Sequence, residues 1–130
     1  VERAVRAACA PLGVEAEVVT ARAEEFVQTR REQYDIATSR AVARLNVLCE
    51  LCLPFVRPGG LFIAMKGPDC AEELAEARGA IRELGGGEAR IAPYAVPGTE
   101  LRHAAVIIEK SAPTPAAYPR RWAKISKKPL

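Results

Sequence analysis

The pair of thiols in "CELC", Cys49 and Cys52, has the spacing of half a zinc site or of a redox couple. A zinc site needs four ligands, and only His103 and the distant Cys9 and Cys70 remain to complete one. A redox pair usually opens a helix, where the dipole lowers the thiol pKa. Cys49 and Cys52 fall inside a helical pattern instead, on or beside its apolar stripe, so they read as core-packing residues and no metal is expected. His103 lies on an alternating segment and reads as structural.

Other candidates stand just past strand-like runs. Ala23 and Glu24 follow one such run, where a backbone group and a carboxylate can hydrogen-bond a ligand. Glu24 reads equally well as a solvated acid at a helix start, favoured by the dipole. Arg40 follows the next run; a guanidinium there can hold a carboxylate in a bidentate pair, or simply stand exposed at the corner. Lys66 closes the apolar run "LFIAMK", placed either to meet a phosphate or to snorkel into solvent. Acid–base residues are otherwise scarce.

Charge is distributed unevenly. The 130 residues hold 19 Lys+Arg and 16 Asp+Glu, formally +3. Arg120, Arg121, Lys124, Lys127 and Lys128 all lie in the last 13 residues, with no acid among them; the remainder carries 14 basic and 16 acidic groups, formally −2. A cationic end on an acidic body suits phosphate, in nucleic acid or on an anionic membrane. No apolar run approaches the roughly 20 residues of a membrane helix. The opening "VERAVRAACA" is amphipathic with charges throughout, so no signal peptide and a reducing, cytoplasmic setting are expected.

These residues need elements to position them. Val1, Val5, Ala8, Cys9 and Leu12 share a helical face, with Gly13 as its stop; a chain that opens mid-pattern reads as a fragment. "VEAEVVT" reads as a strand, "ARAEEFVQTRREQ" as a polar, short helical connection and "YDIATS" as a second strand. "RAVARLNVLCELCLPFV" reads as a helix with Val42, Leu45, Leu48, Cys49, Cys52 and Phe55 on one face. "RPGG" is a turn, and Leu61–Lys66 a central buried parallel strand. A helix follows, N-capped by Asp69 with Glu72 as its capping-box partner, and buried along Cys70, Leu74, Ala77, Ile81 and Leu84. "EARIAPYAV" reads as an edge strand because of Pro93, and Leu101–Lys110 as its antiparallel neighbour. The alternation predicts an α/β fold: a mostly parallel sheet, one reversed strand, helices on both faces, and ligands beyond the strands' carboxyl ends. "SAPTPAAYP" reads as an extended linker to the basic end, which divides the chain into residues 1–112 and a tail, 113–130.

As an ordered set, "RAEEF", "YDIATSRAVARL", "PFVRPGGLFIAMKG", "LRHAAVIIEK" and "YPRRWAKISKKPL" resemble the bacterial 16S rRNA guanine-N7 methyltransferases, also called the glucose-inhibited division protein B family. The resemblance runs along essentially the whole chain. It implies a Rossmann-like sheet, S-adenosylmethionine as cofactor, and 16S ribosomal RNA or the small ribosomal subunit as partner. It implies that Ala23, Glu24 and Arg40 belong to the cofactor site, and that Lys66 lies with Arg120, Arg121, Lys124, Lys127 and Lys128 near the RNA. Guanine N7 has a lone pair and no proton to remove, so placement can supply most of the rate without a strong general base. The resemblance covers the C-terminal portion only: the family's upstream strands and glycine-rich cofactor loop have no counterpart here. The glycine clusters Gly59–Gly60 and Gly85–Gly87 precede strands rather than helices. The expectation is a methyltransferase whose fragment binds cofactor poorly by itself. A non-enzymatic RNA-binding α/β module with a basic arm is the alternative. Trp122, the only Trp, stands where the family often has a small residue, suited to stack on a base or to dock the tail.

Overall fold

The run "LFIAMK" becomes the spine of the sheet because it can pair on both sides. In the computed structural model, which describes residues 2–40 and 43–130, it forms the last part of strand β2 (Val56–Lys66). Strand β1 (Tyr34–Arg40) pairs parallel to one edge of β2, Ala37 opposite Phe62 and Arg40 opposite Met65. Strand β4 (Arg102–Lys110) pairs antiparallel to the other, Phe62 opposite Ile108. Strand β3 (Gly86–Ala95) lies antiparallel to β4, so the order is β1-β2-β4-β3. β1, β2 and β3 run one way and β4 alone is reversed. β3 is the edge strand that Pro93 calls for, since a proline cannot donate to a ladder.

Helix α3 (Leu45–Cys52) and helix α4 (Ala71–Glu83) cover one face of this sheet. Leu45, Leu48 and Cys49 meet Phe62 and Ala64 of β2, Val106 and Ile108 of β4, and Leu74, Ala77 and Ile81 of α4 in a single core. The expected stripe of Cys70, Leu74, Ala77, Ile81 and Leu84 is buried throughout. Gly85 ends α4 at φ +89°, pressed against the Ala112 carbonyl where a side chain would collide.

Four expectations are corrected. The core occupies one face only; opposite it, Leu61, Ile63 and Ile107 are half-buried and Ile36 and Met65 are 53% and 41% exposed. "VEAEVVT" forms no strand. It leaves helix α1 (Glu2–Leu12) through Gly13 and runs unpaired, held by Arg6 on the Val18 carbonyl (3.2 Å) and by Thr20 on Glu2 (2.7 Å). A strand exists only with a neighbour to share its hydrogen bonds, and this segment has none. Helix α3 begins at Leu45, because Arg40 is still paired in β1 and Arg44 is extended. It gives way at Cys52 to a 3₁₀ turn, Leu53–Phe55, around Pro54. Val1 and Val42, expected on their helical faces, lie outside the described residues. Finally, Asp69 does not cap α4: Cys70 holds that position without a side-chain bond, and Glu73 rather than Glu72 makes the polar contacts there.

The C-terminal segment folds back on the body. Arg31 donates to the carbonyls of Tyr118 (2.7 Å), Thr114 (2.9 Å) and Pro115 (2.8 Å). Thr114 Oγ1 donates to the Leu84 carbonyl at 2.6 Å. Helix α5 (Trp122–Lys127) buries Ile125 completely.

Candidate nucleic-acid interface

One side chain joins the carboxyl end of β2 to the segment that leads into α3 and to α4. Lys66 Nζ donates to Glu73 (2.7 Å) and to the Ala43 carbonyl (2.7 Å), while the same Glu73 oxygen accepts the Leu45 amide (2.6 Å). One ion pair thus ties the end of β2, the start of α3 and the first turn of α4. Lys66 is nearly buried, its side chain 9% exposed, so meeting a phosphate requires it to leave Glu73. Arg40 stands exposed at the carboxyl end of β1.

Ala23 and Glu24 start the short helix α2 (Ala23–Phe26), and they face different spaces. Ala23 lines a cavity of about 470 Å³ with Val19, Phe26, Tyr34 and Phe55. That cavity opens beside the amino end of β1, since Tyr34 is the first residue of the strand. Arg40 is six residues further, roughly 20 Å at the rise of an extended strand. Glu24 lines a second cavity of about 590 Å³, walled on the far side by Pro119, Arg121 and Trp122. The chain therefore brings Glu24 to the basic segment and leaves Arg40 apart. These residues do not compose one cofactor pocket by themselves.

Among the basic residues, Arg120 differs from the rest. Its Nε and Nη2 grip the carboxylate of Glu50 at 3.0 and 2.7 Å, and its backbone amide donates to the same group at 2.8 Å. Glu50 is fully buried. The bond to Glu50 raises the pKa of the Arg120 guanidinium and holds it still more firmly in its charged form. Arg121, Lys124, Lys127 and Lys128 are exposed. Tyr118 donates to Glu83 at 2.8 Å, a bond that raises the phenol's pKa. Lys110, buried, donates to the carbonyls of Leu53 and Val56 at 2.8 Å each and pairs with Glu32 at 3.1 Å; burial pushes its pKa down. Glu50, Arg31 and Glu32 were not singled out from sequence. Glu50 left one signal: a carboxylate inside an otherwise apolar helical run, which must find a partner when buried.

The thiols of "CELC" match the core reading. Cys49 is fully buried and Cys52 packs against the core; burial raises both, Cys52 to about 12. His103 stacks on Tyr94 with ring centroids 5.7 Å apart. Among the described residues no three His, Cys, Asp or Glu side chains gather as a metal site, and no helix is long and apolar enough to cross a membrane.

Three co-directional strands with one reversed strand lodged second from the edge, and the helices packed on them, define a mixed α/β fold with a mostly parallel sheet, shared with solved rRNA methyltransferases. An rRNA methylase from Streptococcus thermophilus has this fold, with a TM-score of 0.57 at 17% identity over 82% of this chain and 65% of that one. So does a T. thermophilus 16S rRNA guanine-N2 methyltransferase solved with AdoMet and guanosine, with a TM-score of 0.52 at 16% identity over 87% of this chain and 28% of that one. Residues 5–95 match the family described as rRNA small subunit methyltransferase G, or GidB, and the chain belongs to that family. Among its relatives, ribosomal RNA small subunit methyltransferase G of Clostridium tetani is 50% identical over 111 residues, 84% of this chain and 46% of that protein. Its namesake in Staphylococcus carnosus is 49% identical over 116 residues, 87% of this chain and 48% of that protein. The chain spans about half the length of the curated relatives it matches.

Proposed function

We propose that this chain is the RNA-facing, C-terminal part of an enzyme that transfers the methyl group of S-adenosylmethionine to a guanine N7 in 16S ribosomal RNA. Family membership over residues 5–95 carries the proposal. The cationic segment then supplies the substrate side: Lys124 and Lys127 on a short helix, and Arg121 and Lys128 at its two ends, are exposed, and the Arg120–Glu50 pair fastens the segment to the core. A rigid cationic surface anchors backbone phosphates, and anchoring is what an N7 acceptor needs, because no proton has to be removed.

S-adenosylmethionine would supply an electrophilic methyl group; Ala23, Glu24 and Arg40 are the residues proposed to hold it. Ala23 lines a cavity beside Tyr34 at the amino end of β1, Glu24 lines a different one, and Arg40 stands at the strand's carboxyl end, so the three do not form its site in this chain alone. That observation favours a second reading of these 130 residues in isolation: a non-enzymatic RNA-binding α/β module.

Calorimetric titration of S-adenosylmethionine into this chain, and into a version extended N-terminally to the relatives' length, separates the two. Weak or no binding to the short chain and binding to the extended one are expected. The extended protein should then label small-subunit rRNA with N7-methylguanine, detected by borohydride–aniline cleavage. Binding without any methylation would leave the module reading.

A further inference from the structure

The 590 Å³ cavity between α2 and the basic segment is the least explained feature of the molecule. It has the size of a small-ligand site. One wall carries the only Trp of the chain, 40% exposed, next to Arg121. The opposite wall carries Arg22, Glu24 and Glu25, with Arg22 pairing Glu24 at 3.6 Å and Gln28 bonded back to the Glu24 carbonyl. The tail wall is held by buried anchors: the Arg120–Glu50 pair on one side of Trp122 and Ile125 on the other. The indole is therefore positioned without being consumed as a docking residue, since Ile125 and Arg120 already do that work.

We propose that this cavity is a subsite for one unpaired RNA nucleotide flanking the modified base, with its base stacked on Trp122 and its phosphate on Arg121. The inference rests on the RNA reading given above. An aromatic face beside a guanidinium is the usual platform for a single-stranded base. Glu24 is turned to Arg22, which leaves the exposed carboxylate of Glu25, an acceptor only, to face the cavity. It suits guanine, whose Watson–Crick edge presents two adjacent donors, and not uracil, which presents one donor between two carbonyls.

Because Trp122 is the sole Trp, its emission reports on this cavity alone. Titrating the chain with a short fluorescein-labelled oligouridine carrying one guanosine should give binding by anisotropy and, with an unlabelled copy of that oligonucleotide, quenching of Trp122 over the same concentration range. The all-uridine oligomer should bind several-fold more weakly. Trp122→Ala should weaken binding about tenfold with the salt slope unchanged, Trp122→Phe should restore part of it, and Arg121→Ala should flatten the slope. Circular dichroism and unfolding midpoints matching the parent chain exclude misfolding as the cause. Saturation by anisotropy with Trp122 emission unchanged, or parent-like affinity of Trp122→Ala, overturns the subsite. In the extended protein, rRNA methylation with an unaltered KM in Trp122→Ala would sink the subsite while leaving the methyltransferase reading intact. Absence of methylation by the parent would sink that reading while the quenching still decides the subsite.

Discussion

Arg120 and Glu50, seventy positions apart, form a bidentate ion pair in which the carboxylate is completely buried and also accepts the Arg120 backbone amide. The most basic segment of the chain is thus fastened to the core by one of its own cations, and the others are left to solvent. Removing one partner of such a pair strands a buried charge, at a cost of about 3–5 kcal/mol. Arg120→Ala should therefore lower the stability measured by urea unfolding by that order. Arg120→Lys should restore little, because an ammonium cannot reproduce the planar fork. Hydrogen exchange should show residues 119–130 opening first in both variants.

Glu73→Gln addresses Lys66. The amide oxygen of Gln can still accept the Leu45 amide, but the anion that holds Lys66 is gone. The released ammonium should make the chain bind single-stranded RNA more tightly. The slope of log affinity against log salt should steepen by about 0.7, one phosphate contact on a single strand. An unchanged slope would mean Lys66 does not reach the RNA.

Among the described residues no strand pairs with the outer edge of β1, and Ile36 stands 53% exposed on the uncovered face. An open, partly apolar edge of this kind is a template for pairing with another chain. Concentration-dependent association in analytical ultracentrifugation is expected. Ile36→Lys should suppress it while changing stability by no more than about 0.5 kcal/mol, as a surface substitution does.

Burial lifts the Cys52 thiol from 9.0 to about 12, and Cys49 is raised still further by burial, with Cys52 next to it adding to the effect. A value raised by folding means the native state keeps protons that the unfolded chain releases. The contribution is complete below pH 9 and lost as pH climbs through about 12. Urea midpoints should fall from about pH 9 upward, and Cys52→Ala should shrink the fall. Lys110, lowered by burial, acts in the opposite sense as pH approaches 10.5, so the cysteine variant isolates the thiol's share. At neutral pH an alkylating reagent should reach the half-buried Cys9 well before Cys49 or Cys52.

Much of the fold was legible because local pattern and burial agree. "LFIAMK" is apolar throughout and becomes the central strand; Pro93 sends β3 to an edge; the α4 stripe at helical spacing is the buried one. "VEAEVVT" shows where pattern fails. Alternation states that a segment can pair, not that it does; among the described residues this one pairs with no strand, although the outer edge of β1 is open. Asp69 fails similarly: its type suits a cap, but Glu73 has Lys66 and the Leu45 amide to satisfy and takes over the polar contacts of that corner.

By itself the sequence determined the family, through motifs in fixed order, and the separation of charge into an acidic body and a cationic end. Those properties depend on residue identity and order alone. Which cation is a fastener and which is free, and which cavity Trp122 looks into, were decided only by the tertiary structure. Glu50 is one carboxylate among sixteen acids until folding removes water from around it. Once buried it must take the nearest guanidinium, and the chain that carries Arg120 carries Trp122 into place with it.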